Sequence, residues 1–251
     1  MNGEDGNMGA EELAAYVELA RKLAMEVGEP TFYLEKGPEV ELSRRLLHRE
    51  PLVQKALVAV GDEAESLGHG LFHVKKVAVD AGAIVISEGG DEKAVLLAHL
   101  AGALHDLRRG EPDHARRGAE EARKMLEGWG LPEEECEAVA FAIGNHEAFT
   151  VPHAAGKPLW ELVSDALYDA DKFRWGPDNF TVTVWRMISH YGVSLREAFP
   201  RLLKGMEGIE RIRETFRTAT GKRYGPDFID RGLALGRRLF QVLGSSFGEQ
   251  A

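Results

Sequence analysis

A chain of 251 residues with 44% hydrophobic content carries enough apolar surface for a sizeable core, which excludes global disorder. Its 41 acidic and 31 basic side chains leave a net charge of −10, which disfavours non-specific attraction to nucleic acid or anionic lipid but permits a local basic pocket. A single cysteine excludes a disulfide framework and a cysteine-rich zinc site; with no leader pattern and no apolar run near the ~20 residues of a membrane span, the expectation is a soluble cytoplasmic protein.

Residues 1–9, MNGEDGNMG, read as a polar, frayed tail. Leu13, Val17, Ala20, Leu23, Ala24 and Val27 then recur at helical spacing, and GEPTFYLEKGPE, with its prolines and glycines, reads as a linker. Further helices are predicted over 41–49, 52–66, 70–87, 92–106, 113–128, 133–147 and 158–173. Glycine- or proline-bearing breakers separate them, from SLGHG through RRGEPDH to TVPHAAGKP. AGAIVISEGG admits a strand tip and DNFTVTVWRMI has β-branched alternation, yet both are expected to be helical; GKRYGPDFIDRGLALGRRLFQVL reads as a loop followed by a last helix. The fold class is therefore all-α, a helical bundle. Residues 10–65 form an N-terminal extension, 66–175 the core that carries the chemistry, and 176–251 C-terminal helices packing on it.

The stretch LLAHLAGALHDLRRG raises the chemical question. His105 and Asp106 close an apolar helix, where burial is costly without a partner. Adjacent side chains diverge by about 100° around a helix, so both reach one ion only at a helix end. Imidazole and carboxylate together suit zinc, manganese, iron or nickel, and further ligands must come from elsewhere. His73 follows His69 by one turn, His114 opens a helix, His146 closes an apolar one, and DAD places Asp169 and Asp171 at the end of another. These two aspartates lie roughly 200° apart around the helix, so one of them, not both, faces an ion; Asp165 shares the face of Asp169. His48, His99, His153 and His190 are read as surface or satisfied core residues, and Cys136 as an inert thiol. Trp175 and Phe180 are expected to seal the core rather than stack on a base, and TATGKRYG lacks the spacing of a phosphate-binding loop.

At FHVKKV, ALHDL and DADKF the chain resembles the HD-domain superfamily of metal-dependent phosphohydrolases, over residues 66–175. The resemblance implies an HD-domain helical bundle in which His73, His105, Asp106 and Asp171 are metal ligands. Like members that hold two metals, the chain has histidines in DHARRGAEEARKML and AIGNHE, which implies His114 and His146 as ligands of a second ion. One or two divalent ions (Mn, Fe, Zn, Ni or Mg) are the expected cofactor, and a metal-activated water is the expected nucleophile on a phosphoester. Asp106 would bridge the ions, His69 would serve as proton donor, and Arg108, Arg109 and Lys172 would meet phosphate, with Lys172 also assisting catalysis. The expected partner is a small-molecule, nucleotide-like phosphoester, with no membrane and no non-specific nucleic acid; a homo-oligomer is one admissible state. Two other functions fit the same residues: an HD-fold di-iron oxygenase, and a non-catalytic metal- and nucleotide-binding signalling module.

Overall fold

The computed structural model describes residues 9–59 and 68–248. Every regular element among them is helical, as the periodicity predicts; all but Gly9 of the expected tail at 1–9 and the C-terminal part of the predicted 52–66 helix lie outside the described residues.

Helix α1 (Ala10–Val27) starts with Glu11 and Glu12 where free N–H groups favour acids, and stops at Gly28, whose φ of 85° only glycine adopts without strain. The presumed linker is not one. It folds into a short helix α2 (Thr31–Glu35) and opens α3 (Gly37–Arg49), because Phe32 is fully buried and Asp227 accepts hydrogen bonds from the Thr31 N–H and hydroxyl. Those anchors are 196 residues away in sequence, out of reach of a local reading. Helix α4 (Pro51–Leu57) follows, with Glu50 as its cap and Pro51 at the first position.

The centre is built from α5 (Leu71–Ser87), α6 (Glu92–Leu104) and α9 (Pro158–Phe173), flanked by the hairpin of α7 (His114–Gly128) and α8 (Glu133–Gly144). AGAIVI belongs wholly to α5, so no strand tip forms. Helices α5 and α6 approach closely at Gly102, where an added Cβ would sit 2.5 Å from the Ala78 Cα. On the far side of α5, Ser43 donates to the Val79 carbonyl and lies 2.8 Å from the His99 Nε2, so His99 is the satisfied core histidine expected.

After α9 the chain makes a π-turn (Asn179–Thr183), then α10 (Val184–Tyr191), α11 (Leu195–Ile212), capped by the reciprocal Ser194–Glu197 box, and α12 (Ala219–Gly248). DNFTVTVWRMI is thus helical throughout. GKRYGPDF is not the expected loop: it forms the first turns of α12, with Gly221 facing Asp169 and Gly225 under the Phe216 ring, so these glycines serve close packing. Helix α1 packs along α12, α3 on α5 and α4 on α6, and one apolar cluster runs through all of them.

Gly102→Ala should destabilise the protein by about 2 kcal/mol, because backbone on both helices must shift to admit a methyl group. Gly208→Ala in α11 meets open space and should stabilise by about 0.5–1 kcal/mol. Urea unfolding of both variants checks the contrast.

Candidate metal centre

Five helix ends converge on one buried point. His73 lies in the first turn of α5 and His114 opens α7; His105 and Asp106 follow α6, His146 follows α8 by two residues, and Asp171 closes α9. Helix α6 ends at Leu104, and a run of tight turns (Leu107 N to Leu104 O, Arg109 N to Asp106 O) replaces its last predicted turn. His105 keeps helical dihedrals, and it and Asp106 sit where the helix gives way to these turns.

The His73 and His105 Nε2 atoms are 3.3 Å apart. Asp106 Oδ2 is 3.2 Å from the His105 nitrogen and 3.6 Å from that of His73, while Asp171 Oδ1 is 3.6 and 3.4 Å from the same two atoms. Side chains with one ligand atom each within 4.8 Å of one another form three overlapping groups able to hold a cation: His69, His73 and Asp106; His73, His105 and Asp171; Asp106, His114 and His146. Asp106 is shared by the first and last. Asp169 points elsewhere: its carboxylate accepts from the Arg217 and Thr218 amides and the Thr218 hydroxyl, tying the start of α12 to α9. Asp165 is partly exposed and 3.8 Å from Arg217.

Orientation is set by partners behind the rings. His105 Nδ1 donates to the Gly102 carbonyl at 2.9 Å and His146 Nδ1 to that of Ile143 at 2.6 Å, which aims Nε2 of each at the centre. His114 Nδ1 lies 3.1 Å from a carboxylate oxygen of Glu147, a residue the sequence reading missed although it directly follows His146. His146 Nε2 and Asp106 Oδ1 are buried 3.8 Å apart with no hydrogen-bond partner among the described residues. Two buried acceptors facing each other cost free energy that a cation between them would remove, so the donor set fits a divalent ion.

Burial drives the pKa of His73 down to about 4 and that of His146 to about 3, and it also lowers His114, with Arg109 adding to the effect. Burial opposes charging His105 as well, but the carboxylates of Asp106 and then Asp171 outweigh it and hold its pKa at about 10. Asp171 resists the upward pull of burial because Lys172 and the two histidines keep it ionised; Asp106 does so through His105 and His69.

The remaining sequence candidates divide. His69 Nδ1 is 2.7 Å from Asp106 Oδ2; Lys172 is buried with Nζ 2.5 Å from Asp171 Oδ2; Arg109 Nη1 lies 3.2 Å from His114 Nε2 and 3.7 Å from Asp106 Oδ1. All three line the cavity of about 400 Å³ into which the cluster opens. Arg108 does not: it pairs with Glu111 and Glu121 at the surface, so the structure turns it away from the expected phosphate position. Cys136 is buried and donates to the Leu131 carbonyl, as expected of an inert thiol. His48, His153 and His190 are exposed.

A second network unforeseen from sequence braces the centre. Arg174, one turn after Asp171, donates to Asp80 at 2.6 Å, to the Tyr33 hydroxyl at 2.8 Å and to Asp178, which also takes Lys76 at 2.7 Å. It locks α9 to α5 beneath the ligands. Asp80 sits seven residues after His73 in an apolar stretch, and that polar break was the available signal.

No family model and no curated protein matches the chain. Among solved structures, it resembles a predicted HD superfamily hydrolase from an uncultured Thermotogales bacterium, with 22% identity over 82% of this chain and 98% of that one at a TM-score of 0.46. It also resembles YpgQ of Bacillus subtilis in complex with ADP, with 21% identity over 75% of this chain and 96% of that one at a TM-score of 0.52. The second likeness, at 21% identity, speaks to the fold alone. The chain is an all-α bundle that gathers His73, His105, Asp106 and Asp171 at helix ends.

Three of the histidines are neutral at pH 7 and ready to ligate, whereas His105 keeps a proton that a cation must displace. Metal uptake at pH 7 should release about one proton per chain, and affinity should rise with pH. Calorimetric titration with Mn²⁺ in buffers of different ionisation enthalpy measures this; release of no proton would contradict the assignment of His105.

Proposed function

We propose that the chain is a metal-dependent phosphohydrolase that cleaves a small-molecule phosphoester with water. The observation that carries this reading is the pair of buried atoms without a hydrogen bond among the described residues, His146 Nε2 and Asp106 Oδ1, beside the His73, His105 and Asp171 group. Together they make two adjacent cation positions on the wall of one cavity, with Asp106 between them. Divalent ions held there supply Lewis-acid charge and a water nucleophile at neutral pH.

The chain's own residues do the rest. His73, His105 and Asp171 form one ligand group and His114 and His146 the other, and Glu147 orients His114. Arg109, partly exposed and on the cavity wall, is placed to take phosphoryl oxygens through its guanidinium fork. Lys172 adds positive charge at the Asp171 side. His69, engaged by Asp106 through Nδ1, is left with its other nitrogen to give a proton to the leaving oxygen. A nucleotide-like substrate belongs to this proposal as one option, and ADP, which the fold-sharing B. subtilis protein holds, belongs among the test compounds. Among the described residues no helix is long and apolar enough to cross a membrane, which is in keeping with a cytoplasmic setting.

The test is metal analysis of the wild type and the His105→Ala/Asp106→Ala variant, paired with phosphate release from p-nitrophenyl phosphate and nucleotides under added Mn, Mg, Zn, Ni and Fe. Wild type should hold metal and release phosphate only with it, and the variant should do neither. Equal metal in both proteins would overturn the site. Metal without hydrolysis would favour the binding module, or, with iron and oxygen uptake, the oxygenase. His69→Gln should keep its metal while turnover falls about 10²-fold, separating the proton donor from the ligands.

A further inference from the structure

The cavity that opens on the ligand cluster changes character along its length. One side is the cluster with Arg109 and Lys172. The opposite wall comes from the stretch after Asp171: Trp175, Phe180 of the π-turn, Val184 and Met187 of α10, and Leu202 and Ile209 of α11. Asn179 and Thr183 are the uncharged polar side chains among its lining residues. Of the charged groups nearby, Arg174 is bound by Asp80, Tyr33 and Asp178, Glu147 faces His114, and Arg201, which lines the cavity, is exposed.

We propose, resting on the phosphohydrolase reading, that the substrate is the phosphoester of an apolar alcohol, its phosphoryl group at the ion cluster and its hydrocarbon part against this wall. Three observations converge on it. The wall is preformed, since Phe180, Val184 and Ile209 are nearly fully buried in the free protein and pack into the core. It still leaves apolar surface uncovered: Met187 is 42% exposed although it faces a cavity, and an unbranched thioether adapts to varied hydrocarbon shapes. The wall is also poor in partners for polar ligands. A sugar or nucleobase placed there would lose water from several hydroxyl and ring groups and regain few hydrogen bonds, whereas a hydrocarbon gains from the same burial. A volume of about 400 Å³ is in the range of small-molecule sites, which favours a compact organic group.

Binding of inert phosphonates to the Mn²⁺-loaded full chain tests the proposal without requiring turnover. Inorganic phosphate, methyl-, propyl-, hexyl- and phenylphosphonate, and the phosphonate analogue of adenosine 5′-monophosphate would be compared by calorimetry. Affinity should rise about fourfold per added methylene until the cavity is filled, with hexyl- and phenylphosphonate above the nucleoside analogue. Met187→Gln, which adds polarity without charge, should reduce the gain with chain length far more than it changes inorganic phosphate binding. Leu202→Gln serves the same purpose on the facing helix if the first variant fails to fold. Phosphate and all phosphonates bound equally, or the nucleoside analogue bound most tightly, would overturn the substrate class while the phosphohydrolase reading stands. Failure of the metal-loaded protein to bind even inorganic phosphate would overturn both.

Discussion

The approach of α5 to α6 at Gly102 places two imidazole nitrogens 3.3 Å apart, with carboxylate oxygens of Asp106 and Asp171 within 3.6 Å of them. Lone pairs and negative charge so confined in a buried space repel unless something positive lies among them. A proton on His105 and the ammonium of Lys172 offset the carboxylates of Asp106 and Asp171. Much of the surrounding structure holds this strained arrangement in place: the Gly102 and Ile143 carbonyls fix ring orientation, and the Arg174 network braces α5 against α9. A divalent cation in place of that proton would relieve the same repulsion, which is why the donor set fits one.

The parts of this arrangement that could be read from sequence are those tied to helix ends. A histidine and an aspartate closing an apolar helix, a histidine closing another and an aspartate closing a third are local patterns, and the structure brings His73, His105, Asp106, His146 and Asp171 together. His114 joins them through Glu147, whose place beside His146 in NHE was visible but carries no helical-period signal. The direction of a charged side chain after a helix end is not local information. Arg108 and Arg109 are neighbours in sequence, yet Glu111 and Glu121 draw one outward while Asp106 and His114 hold the other at the cavity.

Glycine and proline misled for a physical reason. Both were read as helix breakers, which they are when nothing else acts on the backbone. In α2 the buried Phe32 and the Asp227 acceptor outweigh that preference, and in α12 glycines are required because Asp169, the Phe216 ring and Gly176 press against the helix. DNFTVTVWRMI foretells a helix where α10 forms, while α11 is legible only as part of the C-terminal packing, and the contribution of both to the cavity depends on how they fold back over α9.

That fold-back has an evolutionary corollary. The candidate ligand side chains come from residues 73–171, while most of the apolar wall comes from Trp175 onward, on a π-turn and two helices that contribute none of them. On the proposed reading, substitution at Met187 or Leu202 would alter what the cavity accepts and leave the His/Asp cluster and its supporting carbonyls in place. Descendants of such a chain could then exchange one substrate for another while the proposed chemistry stays constant.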